Sequence, residues 1–281
     1  MVQNLLVVGG DLRMEQMGRL LAQEGFRVER IKNGRDRGWR VKAADADALL
    51  LPYPYAQKEG KIPGWEHGGE RLEELLKCLK PHVLVMAGAG VENTMAAWGE
   101  QGCSFSLKRY TDDPLFAQRN AEISAEAAVC EAMQRSHRML DEQNILVLGY
   151  GLFARAIVWR LKAFGARVWV AARRDKSRKQ AMQDGAQAIS FEQIVQIAPQ
   201  MQIVMNTVPA VVVGPVELSQ FPDEALLMEL ASPPYGINLS AAVELEKNVV
   251  VLPGLPSRYA PLSAAKALKE AVMRQIVEAD V

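Results

Sequence analysis

Short continuous apolar runs of four or five residues recur along this chain, most of them stopped by a glycine, a proline or a small polar residue. Several lead into stretches whose apolar positions are spaced three to four apart. A run of the first kind suits a strand buried on both faces, and the second spacing gives a helix one apolar face. Strands alternating with helices predict β-α-β units and parallel sheets. The clearest unit spans Asn144 to Arg174, NILVLGYGLFARAIVWRLKAFGARVWVAARR. Ile145 to Leu148 is its first strand, ended by Gly149. Ala156, Ile157, Trp159, Leu161 and Phe164 give the helix its apolar face, Gly165 stops it, and Ala166 to Ala171 is the second strand.

The same reading places strands at Asn4 to Val8, from Gly25 to Glu29, at Ala48 to Leu51, Pro81 to Met86 and Ser104 to Leu107. A helix follows Gly9-Gly10-Asp11 to about Glu24, with Met14, Met17, Leu20 and Leu21 inward; others run from Arg71 to Leu79 and from about Glu92. Gln57 to Glu70, with four glycines, reads as a surface loop or flap. Pro114 to Leu140 lacks glycine and is rich in Ala, Glu, Met and Arg, which predicts one long connecting helix. Beyond the central unit, Ile189 to Ile197 is expected to be a short helix, and Gln202 to Met205, Leu226 to Leu230 and Val249 to Leu252 to be strands. A last helix, from Ser263 to about Ala279, is expected to pack back on the first domain. The predicted class is α/β, with two Rossmann-like doubly wound domains and a cleft between them. Their bounds are 1–118, joined by helix 263–281, and 119–262.

Candidate chemistry gathers at strand ends. Gly149, Gly151 and Ala154 fit G-x-G-x-x-A in the strand-turn-helix context that dinucleotide binding requires, with Tyr150, Leu152 and Phe153 completing the turn. Helix N-terminal amides there would hold a diphosphate. After the second strand an acidic residue would bind the ribose 2′-hydroxyl; Arg173 and Arg174 stand there instead and favour NADP, although Asp175 is close by. Three later strands end in Asn206-Thr207-Val208-Pro209, in Ala231-Ser232 and in Pro253-Gly254, small or turn-forming residues suited to close approach of a nicotinamide. The first domain lacks the fingerprint spacing and is read as a substrate domain, with Pro52 and the Gly88-Ala89-Gly90 turn as binding elements.

Composition narrows the partners. A chain of 281 residues suits two domains, and 49% apolar residues supply a core to each. Lys plus Arg and Asp plus Glu balance at 33 each, so no basic field invites nucleic acid or a membrane surface. Cys78, Cys103 and Cys130 have no C-x-x-C spacing, and no apolar stretch approaches the ~20 residues of a membrane helix. A cytoplasmic protein acting on a small molecule is expected. His67, His82 and His137 show no ligand spacing, so no metal site is expected.

Across residues 7 to 261 the sequence resembles the A subunit of dipicolinate synthase. The segments that carry the resemblance are Val7-Val8-Gly9-Gly10-Asp11, Asp112-Asp113, the set Asn120, Ser124 and Glu126, Gly149-Tyr150-Gly151, Asn206-Thr207-Val208-Pro209, Leu230-Ala231-Ser232 with Pro234 and Gly236, and Pro253-Gly254-Leu255-Pro256 with Ala260-Pro261. It departs at Ala154, Ala127 and Ser257, where that family usually has glycine. The resemblance implies NADP-linked oxidation of a dihydropyridine-2,6-dicarboxylate during sporulation. It also implies a partner, a separate flavoprotein-like B subunit. A homo-oligomer is expected as well.

Such an oxidation removes a hydride and a proton while two carboxylates are held, and gains aromaticity, so positioning and one base suffice. Asp112 and Glu126 are the candidate bases. Arg258, Arg119 and Arg109 are candidate carboxylate clamps, with the Ser124 hydroxyl and the Gly88 to Gly90 amides beside them. Two other readings stay open: a 2-hydroxy- or amino-acid dehydrogenase of similar plan, and a non-catalytic NADP-binding scaffold subunit.

Overall fold

The apolar runs become strands, and the chain alternates them with helices throughout. In order they are β1 (Asn4–Val8), α1 (Leu12–Gln23), β2 (Arg27–Ile31), α2 (Trp39–Asp45), β3 (Ala48–Leu50), α3 (Leu72–Lys77), β4 (Val83–Ala87), β5 (Phe105–Arg109) and α4 (Pro114–Ser136). Then come β6 (Asn144–Leu148), α5 (Leu152–Ala163), β7 (Arg167–Ala171), α6 (Asp175–Gln183), β8 (Gln187–Ile189), α7 (Ile194–Ile197), β9 (Ile203–Asn206), α8 (Pro215–Leu218), β10 (Leu226–Glu229), α9 (Leu239–Glu244), β11 (Val249–Val251), α10 (Leu255–Tyr259) and α11 (Pro261–Ala279). This computed structural model describes residues 2–32, 36, 38–53, 72–88, 91 and 105–279. The loop expected over Gln57 to Glu70, the helix expected from Glu92, and Ala89, Gly90, His67 and Cys103 lie outside the described residues.

Two compact units result, Met1–Asn120 with Ala260–Val281, and Ala121–Tyr259. The first is built on a parallel sheet of order β2-β1-β3-β4-β5. That is the flavodoxin-like doubly wound arrangement, in which the strand order reverses at β1 and β3. One sheet face packs on Trp39, Ala43, Leu75 and Leu76, and the other on Met14, Met17 and Leu21 of α1 together with Ala265, Leu268, Val272 and Ile276 of α11. Leu268 and Val272 are four apart and Leu268 and Ala265 three apart, so α11 turns one stripe inward.

The second unit has a parallel sheet of order β11-β10-β9-β6-β7-β8. Counted within the unit this is 6-5-4-1-2-3, the dinucleotide-fold order, with its switch point where β6 meets β9. Ile145, Val147, Val168, Val170, Ile203 and Met205 line one core with Ile157 and Leu161 of α5. Leu146, Leu148, Val204 and Leu227 line the opposite face with Ile194, Ile197 and Ala241.

Several boundaries differ from the sequence reading for local reasons. The connecting helix stops at Ser136 and not Leu140, because His137 takes a left-handed φ of 52°, and a single 3-10 turn covers Leu140–Glu142. The helix expected over Ile189 to Ile197 divides into the last residue of β8, a 3-10 turn and the single-turn α7, since Ser190 and Gln193 form a capping box between strand and helix. Pro253-Gly254-Leu255-Pro256, read as a plain turn, opens α10, and Pro256 sits in its first turn where a missing N–H costs nothing. Among the described residues no helix is long and apolar enough to cross a membrane, and no group of His, Cys, Asp and Glu could hold a metal ion.

Candidate functional site

The glycine turn after β6 is shaped from two sides. Gly149 has a φ of +90°, and its N–H donates to Ala171 O at 2.9 Å. A Cβ at Gly149 would lie 2.8 Å from Thr207 Oγ1 and 2.9 Å from Val208 Cγ2, so the turns after β6 and β9 touch here with no room for a side chain. Gly151 is different. It caps α5 in an extended conformation, it is exposed, and a Cβ built on it would meet nothing within 4 Å. Ala154 is fully buried, as helix-strand packing at the third fingerprint position needs. Open space over the second glycine, beside a helix N-terminus, fits the diphosphate of a dinucleotide. Of the turn's other residues, Leu152 is exposed and Phe153 is half-buried against the core. The Tyr150 hydroxyl donates to Asp184 Oδ2 at 2.6 Å, and burial with that hydrogen bond pushes its pKa up.

Arg173 and Arg174 are exposed immediately after β7, where a 2′-phosphate would be recognised. Asp175 does not compete for that place as a free carboxylate. It begins α6 and pairs with Lys179 at 2.9 Å and Arg178 at 3.4 Å, and the hydrogen bond from Lys179 holds its carboxyl below the usual range. Arg178 Nη1 also donates to Ala172 O and Arg173 O, each at 2.8 Å, which fixes the backbone from which the two arginines project.

At the ends of β9 and β10 the decisive residue is Glu229, which sequence reading passed over as part of an apolar strand. It is fully buried. Its Oε1 accepts from Asn206 Nδ2 at 2.7 Å and Ala231 N at 2.9 Å; its Oε2 accepts from Gly236 N and Ile237 N, each at 2.9 Å. Asn206 is equally buried, and its Oδ1 accepts from Val208 N at 3.0 Å while Nδ2 also donates to Val208 O at 3.0 Å. The Asn206 carboxamide thus closes its own turn. Thr207 Oγ1 donates to Leu148 O at 2.7 Å and ties that turn to β6. Pro209 and Ser232 are exposed on these two turns, and Ala231 is half-buried. A buried glutamate within LLMEL is the one signal that could have found this arrangement.

After β11, Pro253 and Gly254 are exposed, Gly254 has a φ of +66°, and Ser257 Oγ donates to Gly254 O at 2.8 Å. Arg258, expected as a carboxylate clamp, has its guanidinium 3.6 Å from Glu131 Oε1 and over the Tyr259 ring at 5.7 Å. Glu131, on α4, is buried and accepts from the Tyr259 hydroxyl and from Arg135 Nε at 2.6 Å. Burial pushes its carboxyl up, but those two hydrogen bonds and the nearby Arg258 outweigh that and hold it below the usual range. Glu131 therefore fastens α10 to α4.

In the first unit the strand ends bring Pro52 and Gly88 together, with Gly88 N donating to Pro52 O at 3.3 Å. Beside them Arg13, another residue the sequence reading missed, is buried and donates to Asp11 Oδ2 at 2.7 Å and to Tyr53 O at 2.6 Å. Asp112 is exposed after β5 and pairs with Arg109, Nη2 to Oδ1 2.7 Å. Its neighbour Asp113 is buried and structural: it accepts from Leu115 N at 2.8 Å and Arg274 Nε at 2.6 Å. On α4, Ser124 is buried, Arg119 is exposed, and Glu126 is exposed with Arg160 at 4.0 Å.

Residues 116–231 match the NAD-binding domain of the D-isomer specific 2-hydroxyacid dehydrogenases. The A subunit of dipicolinate synthase from Bacillus subtilis strain 168 is 22% identical over 289 aligned residues, which cover 98% of this chain and 96% of that one. The crystal structure of the corresponding dipicolinate synthase A subunit from Bacillus halodurans has a TM-score of 0.85 at 22% identity and covers 98% of both chains. The crystal structure of the Bacillus subtilis protein gives 0.82 at 20% identity, covering 99% of this chain and 97% of that one. A transhydrogenase from Sinorhizobium meliloti shares the arrangement more loosely, with a TM-score of 0.61 at 15% identity over 96% and 93% of the two chains. Along nearly its whole length the chain is thus similar to the dipicolinate synthase A subunit, and it is an NAD(P)-dependent oxidoreductase with a dehydrogenase's nicotinamide-nucleotide domain.

Proposed function

We propose that this protein oxidises a dihydropyridine-2,6-dicarboxylate to dipicolinate with NADP, as the A subunit of a dipicolinate synthase acting in the cytoplasm during sporulation. The observation that carries the reading is similarity to the dipicolinate synthase A subunit over 98% of the chain. An open glycine turn and two exposed arginines after β7 stand at the expected places of a diphosphate and a 2′-phosphate. A nicotinamide, when bound, supplies a hydride acceptor. The protein's own task is then to hold two carboxylates and to take one proton as the ring becomes aromatic.

Gly149 to Ala154, Arg173 and Arg174 would hold the NADP end to end, with the turns at Asn206 to Pro209, Ala231-Ser232 and Pro253-Gly254 around the nicotinamide. Pro52 and Gly88, with Ser124 and Arg258, are the proposed substrate contacts. Asp112 and Glu126 are the proposed proton acceptors, since each is exposed and paired with an arginine in a contact that a substrate can displace. The proposed partners are a second copy of this chain and a flavoprotein-like B subunit. The test is turnover of purified protein with dihydrodipicolinate and NADP. Cofactor that binds without being reduced would replace this reading with that of a scaffold subunit.

A further inference from the structure

We infer that Glu229 is a positioning residue for the nicotinamide end of the cofactor, acting through Asn206 and the backbone of the turns after β9 and β10. This rests on the nucleotide reading above. A carboxylate buried to zero exposure is costly, and among the described residues none forms an ion pair with it; the protein meets that cost with four donors on two oxygens. Three of them are main-chain N–H groups of one loop, Ala231, Gly236 and Ile237, so a single side chain draws the loop's two ends together. The fourth is the Asn206 amide, whose orientation is then forced: Glu229 offers only acceptors, so Nδ2 faces it and Oδ1 faces the Val208 N–H.

Gly236 completes the arrangement. A Cβ there would sit 2.5 Å from Asn206 Nδ2 and 2.6 Å from Val208 O, so the loop after β10 lies directly on the turn after β9. Glu229 and Asn206 thus set the relative height of two of the three turns proposed to surround the nicotinamide, and neither has a polar atom left to offer a ligand. The diphosphate turn touches the turn after β9 at Thr207 but has anchors that Glu229 does not supply. Gly149 N donates to Ala171 O of β7, the Thr207 hydroxyl and N–H both donate to Leu148 O of β6, and Arg178 holds the Arg173 carbonyl. Disturbing Glu229 should therefore damage the nicotinamide half of the cofactor site far more than the diphosphate half.

Glu229→Gln tests this by placing an NH₂ opposite an N–H or the Asn206 amide. Two probes are titrated calorimetrically into wild type and variant: NADP, and 2′-phospho-ADP-ribose, which lacks the nicotinamide. The expected result is NADP affinity lowered by about tenfold or more, with 2′-phospho-ADP-ribose within about twofold of wild type. Equal NADP affinity in both proteins would overturn the inference, as would equal loss of both probes in a folded variant. Should Glu229→Gln not fold, Asn206→Ala decides by the same two criteria, because it leaves the buried carboxylate three backbone donors. If the wild type binds neither probe, the nucleotide reading itself fails, an outcome distinct from failure of the role given to Glu229.

Discussion

Gly149 and Gly151 stand two residues apart and need glycine for opposite reasons. At Gly149 the backbone is left-handed and the neighbouring turn is already in contact, so Gly149→Ala should lower stability by about 1–3 kcal/mol in denaturant unfolding. At Gly151 the space is empty, so Gly151→Val should melt like wild type and lose cofactor binding. A variant at Gly151 that still bound NADP would show that the diphosphate does not lie there. Arg173 and Arg174 give a second test, since removing both should weaken NADP by roughly one to two decades and leave NAD affinity unchanged. Equal losses for both cofactors would deny them a phosphate contact. The places of the glycines and the arginines in the fold were legible because their message is local, a turn in one case and a strand end in the other. Glu229, Glu131 and Arg13 were not. Each owes its role to partners distant in sequence, Asn206 for the first, Tyr259 for the second and Tyr53 for the third, and no spacing along the chain announces them.

Among elements, α11 shows how a segment far along the chain becomes part of the first sheet's cover. Its apolar stripe packs on α1, and polar contacts fix its register: Arg274 to Asp113, Gln275 to Arg109 O at 2.6 Å and Lys269 to Glu24 at 2.7 Å. Asp113→Asn keeps the helix cap of α4, because asparagine caps as well as aspartate, and puts an NH₂ in place of the oxygen that accepts from Arg274, removing both the charge and the acceptor there. The expected cost is about 1–2 kcal/mol at neutral pH, kept low because Arg274 is partly exposed. Burial pushes the Asp113 carboxyl up, but Arg274 and the helix amides outweigh that and hold it below its ordinary value. Its stabilisation is therefore complete above the unfolded value of about 3.9 and is lost as pH falls through the lower, folded value. The gap between wild type and variant should close in acid; a gap that widened there would contradict the pairing.

Strands were readable from their apolar runs, as at Asn4 to Val8 and Asn144 to Leu148. Short pieces such as β8 and α10 were not, since three to five residues carry too little periodicity to distinguish a strand from a turn of helix. The helix α6 was missed for another reason: DKSRKQAMQ has a single buried residue, Ala181, and its charged face hides the pattern.

At the scale of the molecule, two sheets of different strand order follow one another in a single chain, and each has a switch point of the kind at which open α/β sheets bind ligands. The second carries the glycine fingerprint, while the first carries a buried arginine and no such turn. If the second unit binds NADP, ligand should stabilise it by linkage, by about 2.7 kcal/mol at a hundredfold excess over the dissociation constant. Asp112→Asn and Glu126→Gln address the chemical step: a true base should lower kcat strongly and leave NADP affinity unchanged, whereas a merely structural carboxylate would change thermal stability or nothing. The most direct measurement is a stoichiometric one, in which purified protein is mixed with freshly formed dihydrodipicolinate and NADP, and NADPH and dipicolinate are quantified together. The account predicts one NADPH for each dipicolinate, with the rate abolished by Gly151→Val. Dipicolinate formed at the same rate without NADP, or NADP bound by the protein and never reduced, would contradict it.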